Sequence, residues 1–187
     1  MLHHLSSPGE AHWRRRLNMP YRHSIFFKEW LSYESSLTKK LQQYANGDFH
    51  VELLSQDIQA VNFSERQALG LKTRRHAFVR EVALWVKGSV WVYARTIIPL
   101  NTLKGKLRTL KNLGNRPLGE QLFANPTMRR ETVLFATVNN QCLPITLKEN
   151  RPLGGRRTLF KLNNRPLLVC EIFLDNIDNS SRYYKNL

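Results

Sequence analysis

Two runs rich in Val, Ile, Trp and Tyr, Ala77–Val86 and Ser89–Pro99, separated only by Lys87-Gly88, constrain this chain more than any other feature. Side chains of this kind suit a pleated, half-buried surface, and a two-residue connection ending in glycine is a hairpin turn. An antiparallel sheet follows directly. Further strands are predicted over Phe49–Leu54, Glu131–Val138, Thr158–Leu162 and Leu167–Leu174, which makes six.

Helical spacing accounts for most of the remaining apolar residues. Ser24 can cap a helix carrying Ile25, Phe26, Phe27, Trp30 and Leu31, and Ser35 or Ser36 can cap a second through Leu37, Leu41 and Tyr44 that stops near Asn46-Gly47. Two helices so tightly joined make a lid. Thr102 can cap a helix through Leu103, Leu107 and Leu110, ending before Gly114, and Pro117 can start a short helix over Leu118–Phe123. The stretch between Leu54 and Arg75 is polar and shows no pattern.

A chain of 187 residues with 42% hydrophobic content buries one core, so a single domain over residues 24–187 is expected behind a loose basic arm, residues 1–23, that contains Pro8, Gly9 and Pro20. Asn-Arg-Pro-Leu occurs at Asn115, Asn150 and Asn164, but the unequal intervals indicate recurring turn chemistry and no repeat. No segment approaches the roughly 18 apolar residues of a membrane span, and the N-terminus lacks the apolar stretch of a secretion signal, so a cytoplasmic location is expected. Cys142 and Cys170 show no metal-type spacing and are expected to be two reduced thiols. His3, His4, His12 and His23 lie in the polar leader without helical HxxxH spacing or cysteine partners, and no metal is expected.

The formal charge of +15 would attract any polyanion. Its cations are scattered in short groups, however, with no basic run interleaved with aromatics and no zinc-finger or RNP-like motif. The expectation is a solvated basic surface that steers anionic small molecules, in a monomer without a nucleic-acid partner.

Strand alternation isolates two charges. Phe78, Arg80, Val82, Leu84 and Val86 share one face, with Glu81 on the other; Leu167, Val169, Glu171 and Phe173 share a face in the last strand. A buried arginine keeps its charge and a buried glutamate is costly alone, so each demands a partner. Arg80 and Glu171 either neutralise each other or bracket a ligand, one holding an anion and the other handling a proton. The amide of Leu118, at the start of a short helix, is a third, weak anion donor. Arg95, on the face of Trp91, Tyr93 and Ile97, is either a further anion ligand or a bridge to a neighbouring strand carboxylate. Gly-rich phosphate loops, GxSxG elbows, HExxH and paired Cys/His sets are all missing from the sequence, which disfavours nucleotide, metal and serine-nucleophile chemistry.

Five pieces in register, Phe78-Val79-Arg80-Glu81-Val82, Ala94-Arg95-Thr96-Ile97-Ile98-Pro99, Arg116-Pro117-Leu118-Gly119 with Leu122-Phe123, Gly155-Arg156-Arg157, and Pro166 to Leu174, resemble the chorismate pyruvate-lyase (chorismate lyase) family from about Trp30 to Leu174. The resemblance implies an α+β fold, a six-stranded antiparallel sheet with helical flaps over an enclosed site. It implies a cofactor-free lyase converting chorismate to 4-hydroxybenzoate and pyruvate, the first step toward ubiquinone. In this family an arginine matching Arg80 binds carboxylate, a glutamate matching Glu171 meets the ring hydroxyl, a leucine matching Leu118 gives its backbone amide, and a flap residue matching Leu37 lies against the ligand. The Leu37 position departs from methionine, and the segment from Arg130 to Gly154 runs roughly a dozen residues longer than the pattern. The alternative is a non-enzymatic binding domain, because the fold is shared with effector domains of GntR-type regulators; residues 1–23 are too short for their winged helix.

Overall fold

The computed structural model describes residues 11–15, 25–71, 76–139, 143–148 and 151–177. Six strands form one antiparallel sheet: β1 (Phe49–Ala60), β2 (His76–Val86), β3 (Ser89–Ile98), β4 (Arg129–Val138), β5 (Leu153–Leu162) and β6 (Arg165–Phe173), in the spatial order β1-β2-β3-β6-β5-β4. Among the described residues the named α-helices that accompany them are α1 (Ile25–Leu31), α2 (Leu37–Ala45), α3 (Phe63–Ala68) and α4 (Leu118–Phe123), with 3₁₀ segments at Gly105–Asn112 and Ile145–Leu147. This is the α+β architecture expected.

Two hairpins make the centre. Lys87 and Gly88 both take positive φ, 49° and 73°, and so do Asn163 and Asn164, 50° and 60°. Two successive left-handed residues match the right-handed twist of flanking strands, which turns β2 onto β3 and β5 onto β6. The hairpins meet along β3 and β6, where Ala94 stands opposite Glu171 and Thr96 opposite Val169.

Several boundaries differ from the sequence reading for identifiable reasons. β1 runs to Ala60 and not Leu54; its outer half lies on the sheet edge and is largely exposed, so polar residues there satisfy the ladder without an apolar pattern. α3 went unpredicted, although Asn62 and Glu65 form a reciprocal capping box, Asn62 Oδ1 accepting from the Glu65 amide at 2.8 Å and Glu65 Oε2 from the Asn62 amide at 3.1 Å. Thr102 does not cap a helix: its hydroxyl donates to the Pro166 carbonyl, and the segment that follows is 3₁₀. β5 begins at Leu153, and the long connection before it places Leu143 in the core. Ser36 caps α2 as expected, and Asn46 ends it in the left-handed region. Ser24 and Cys142 lie outside the described residues, as does most of the basic arm; within its described part, Arg14 exchanges both backbone hydrogen bonds with Phe135 on β4.

The two faces of the sheet have different fillings. One carries two apolar clusters, the first built by α1 and α2 over Val82, Leu84 and Phe173, the second by the 3₁₀ segment and α4 over Phe78, Ile98 and Phe160. The other face carries two further apolar clusters, one around Tyr93 and Ile172 and one around Val79 and Leu168, and also buries a charged network. Arg95 donates to Glu65 at 2.9 Å and to Glu81 at 2.8 Å, and Glu81 also accepts from Tyr93 Oη at 2.6 Å and Ser55 Oγ at 2.9 Å. Burial, then the Glu81 charge beside it, pushes the Tyr93 phenol well above its usual range.

The flaps close through a glycine. A Cβ on Gly119 in α4 would stand 2.6 Å from Thr38 Oγ1 in α2, so only glycine lets the two helices approach this closely. Gly119→Ala should destabilise the protein by about 1–2 kcal/mol, and adding Thr38→Ala should recover part of that in urea unfolding. Arg95→Met removes the cation that Glu65 and Glu81 share in a buried site; it should cost about 3–5 kcal/mol in the same assay.

Candidate active site

Between the two apolar clusters on the helical face lies a cavity with walls from both: Leu37, Val82 and Leu84 from the first, Leu118, Leu122 and Phe160 from the second. Small side chains leave it open. Ala94, Thr96 and Thr158 form its floor on β3 and β5, where bulkier residues would fill the gap under the flaps.

Arg80 enters this cavity from β2 with a relative exposure of only 2%. Its Nη2 donates to the Gly114 carbonyl at 2.8 Å and the Arg116 carbonyl at 3.0 Å. Among the described residues it meets no carboxylate, and its buried Nε has no partner. Burial pulls its pKa down to about 10, which still leaves it cationic near neutrality.

Glu171 does not neutralise Arg80. β3 separates their strands, a span of about 10 Å across two inter-strand spacings. The glutamate is held instead by its cross-strand neighbour on β5: Arg156 Nε and Nη2 both reach Glu171 Oε2 at 2.7 Å. Arg156 Nη1 in turn donates to the Tyr33 carbonyl at 2.5 Å, which ties this pair to the turn between α1 and α2. Glu171 Oε1 accepts no hydrogen bond among the described residues.

Leu118 and Leu37 also line the cavity, each the first residue of its helix. Pro117 occupies the cap position, one place earlier than a first-turn proline, and supplies no side-chain cap. The first amides of α4 therefore have no acceptor within the helix. Arg80 grips the turn that leads into α4, so the guanidinium and the Leu118 amide are parts of one assembly. All four residues singled out from the sequence, Arg80, Glu171, Leu118 and Leu37, line this one cavity. Arg95 does not; its two carboxylates hold it on the opposite face.

Sequence reasoning missed two cavity cations. Arg156 carried a signal, since it faces Glu171 in a β5 whose start was placed too late to reveal the alternation. Arg130 stands at the start of β4, where the register shifts between Arg130 and Thr132 and breaks the alternation that would identify its face. Its Nη2 donates to the Ser35 carbonyl at 3.2 Å, its guanidinium lies 5.5 Å from the Phe160 ring centroid and 5.9 Å from that of Phe123, and its Nε is buried without a partner. Burial, and next the Arg156 charge, lower its pKa.

Comparison with known proteins agrees with this geometry. The family model described as chorismate lyase matches residues 7–182. A protein of Marinobacter nauticus named "probable chorismate pyruvate-lyase" is 40% identical over 81% of this chain and 77% of its own length. One of Methylococcus capsulatus with the same name is 37% identical over 79% of this chain and 93% of its own. The effector domain of PhnF from Mycobacterium smegmatis shares the fold, with a TM-score of 0.55 at 12% identity over 76% of this chain and 90% of that one. An α+β sheet enclosing a cationic cavity under helical flaps, matched by the family model over nearly its whole length, makes this chain a member of the chorismate lyase family.

Proposed function

We propose that the protein cleaves chorismate to 4-hydroxybenzoate and pyruvate, a carbon–oxygen lyase reaction that supplies the ring precursor of ubiquinone. The observation that carries this reading is a buried arginine, Arg80, lining the enclosed cavity with an Nε that has no partner and, among the described residues, no carboxylate of its own. Relatives at 40% and 37% identity carry the lyase name, whereas the effector-domain likeness at 12% speaks of fold alone and gives no support to a sensor.

In the reaction the ether bond between the ring and the enolpyruvyl oxygen breaks, with its electron pair leaving on that oxygen. The ring gives up the hydrogen on its hydroxyl-bearing carbon and becomes a phenol, while the enolpyruvate takes a proton and becomes pyruvate. Aromatisation supplies the driving force, so the protein's task is to desolvate the anion, fix its conformation and meet the charge that moves. Arg80 and the Leu118 amide suit the ring carboxylate. Glu171, pinned through Oε2 by Arg156, offers Oε1 to the ring hydroxyl and to proton handling. Leu37 and Leu118 cover the ring from the two flaps and keep water out.

The basic surface suits steering of an anionic substrate, and we assign the protein no nucleic-acid partner. No helix among the described residues is long and apolar enough to cross a membrane. We place the protein in the cytoplasm as a monomer.

Purified protein supplied with chorismate should release 4-hydroxybenzoate without added metal or cofactor, read by absorbance; absence of turnover in folded protein overturns the assignment. Arg80→Met both frees two carbonyls and removes an uncompensated buried charge, effects of opposite sign, so its melting temperature should shift by less than about 5 °C. Its dissociation constant for 4-hydroxybenzoate should nevertheless rise about 100-fold in calorimetric titration, because a buried carboxylate loses its cation. A large stability loss with normal product affinity would instead make Arg80 structural.

Leu118 gives a sharper contrast. It is the first helical residue, where proline is well tolerated, and Pro117 before it is already extended at ψ 130°. Leu118→Pro should therefore fold yet lose most activity through the missing N–H, while Leu118→Ala should retain most of it. Equal losses in steady-state kinetics would assign the contribution to side-chain packing.

A further inference from the structure

The charges lining the cavity do not cancel. Arg80, Arg130 and Arg156 face it against a single carboxylate, Glu171, and no other acidic residue contributes to its described walls. Arg156 is committed to Glu171 by two contacts at 2.7 Å and to the Tyr33 carbonyl. Two guanidinium groups remain, and each carries a buried Nε without a hydrogen-bond partner.

Unpaired charge of one sign in a partly desolvated space is expensive, and a bound ligand of the opposite sign removes the expense. Arg80 has no carboxylate near it among the described residues; Arg130 feels Glu171 and, from the adjoining surface, Glu34, yet forms an ion pair with neither, so each can still take a carboxylate from a ligand. Their placement adds a geometric requirement. Arg80 projects from β2 and Arg130 from β4, four strands apart in the sheet, or about 19 Å between backbones. Side chains reaching inward from both directions define an elongated ligand with an anionic group toward each end.

We infer that Arg130 is a second carboxylate anchor, opposite Arg80, and that it discriminates dicarboxylates from monocarboxylates. The inference rests on the lyase reading of the same cavity: Arg80 takes the ring carboxylate and Arg130 takes that of the enolpyruvyl arm. The surroundings of Arg130 suit this task. Phe123 and Phe160 flank its guanidinium, and the Ser35 carbonyl at the mouth of α2 fixes one nitrogen, leaving the Nε edge to an incoming carboxylate. Contact with Ser35 also places Arg130 against the flap turn, so an anion held there bears on closure as well as on affinity. During the reaction this same group would face the arm onto which charge moves as the ether breaks, where a fixed cation stabilises the transition state more than the ground state.

The test compares two ligands that differ in one carboxylate. 4-Hydroxybenzoate is the monocarboxylate; the same ring with a carboxymethoxy arm ortho to the hydroxyl is the dicarboxylate. Arg130→Met retains the stem length and the apolar contact with Phe123 and Phe160 but removes the charge. It should weaken the dicarboxylate about 100-fold in calorimetric titration while changing 4-hydroxybenzoate affinity by less than about threefold. Arg130→Lys, which keeps a charge but not the planar fork, should fall between the two and serves if the methionine variant does not fold. On chorismate, kcat/KM should drop with the dicarboxylate affinity. Equal weakening of both ligands, or of neither, overturns the role of Arg130. Inactivity of the unaltered protein on chorismate overturns the lyase reading instead, and the two-ligand comparison still decides the anchor.

Discussion

The arrangement of this molecule depends on a cation buried without a counter-charge. Arg80 is 2% exposed, lacks a carboxylate among the described residues, and is stabilised only by two carbonyls of the turn before α4. Carbonyl dipoles offset part of the desolvation of a guanidinium and leave its net charge intact. Consequences spread outward from that contact. The turn from Gly114 to Pro117 is drawn to the sheet, α4 begins where Leu118 can present its amide, and Gly119 then seats α4 against Thr38 of α2. One side chain thus sets where the proposed anion site lies and helps to locate the flap over it.

The sheet keeps its two electrostatic problems on separate faces. On the side of α3, Arg95 is balanced by Glu65 and Glu81, and Tyr93 and Ser55 occupy further carboxylate lone pairs; that network is locally complete and has no need of a ligand. On the flap side, among the described arginines of the cavity, only Arg156 has its carboxylate. The difference originates in strand alternation, since Arg80 and Glu81 are consecutive yet point to opposite faces. A one-residue slip of β2 would exchange the satisfied and unsatisfied environments, so the register set by the Lys87-Gly88 turn is a functional constraint as much as a structural one.

Much of this was legible before any coordinates. The hairpin, the six strands and the lone charges at Arg80 and Glu171 follow from period-two alternation and turn chemistry, and the two tightly joined helices from helical spacing and capping residues, all of them local properties. Pairing is not local. Alternation could say that Arg80 and Glu171 share a face, but whether they touch depends on how many strands lie between them, and the interposed β3 is a matter of topology. Arg156 stayed hidden because Gly154 and Gly155 gave β5 no apolar pattern at its start. Arg130 stayed hidden because a bulge erases the parity that assigns a face. The outer half of β1 was missed because an exposed edge imposes no burial pattern. The capping box at Asn62 and Glu65, by contrast, was fully present in the sequence, and only the short helix it begins made it easy to pass over.

Arginine at position 80 is a choice that lysine could not replace. An ammonium with this degree of burial and no carboxylate would lose its proton and become neutral, since desolvation alone shifts buried lysines by several units. A guanidinium lowered to about 10 remains charged at neutral pH, so the cavity stays cationic whether or not it is filled. Its planar fork then divides the work: Nη2 is spent on Gly114 and Arg116, while Nε is directed elsewhere with nothing to meet it. Arg156 shows the opposite use of the same side chain, with Nε and Nη2 both given to Glu171 and Nη1 to the flap turn. The two residues differ in what their neighbours supply, a carboxylate in one case and carbonyls in the other. A cavity that pairs one arginine with a carboxylate and another only with dipoles is uneven before anything binds, with an acceptor at the neutralised Glu171 and uncompensated positive charge at Arg80. Under the proposed lyase reading, that unevenness would orient a hydroxybenzoate ring with its carboxylate toward β2 and its hydroxyl toward β6.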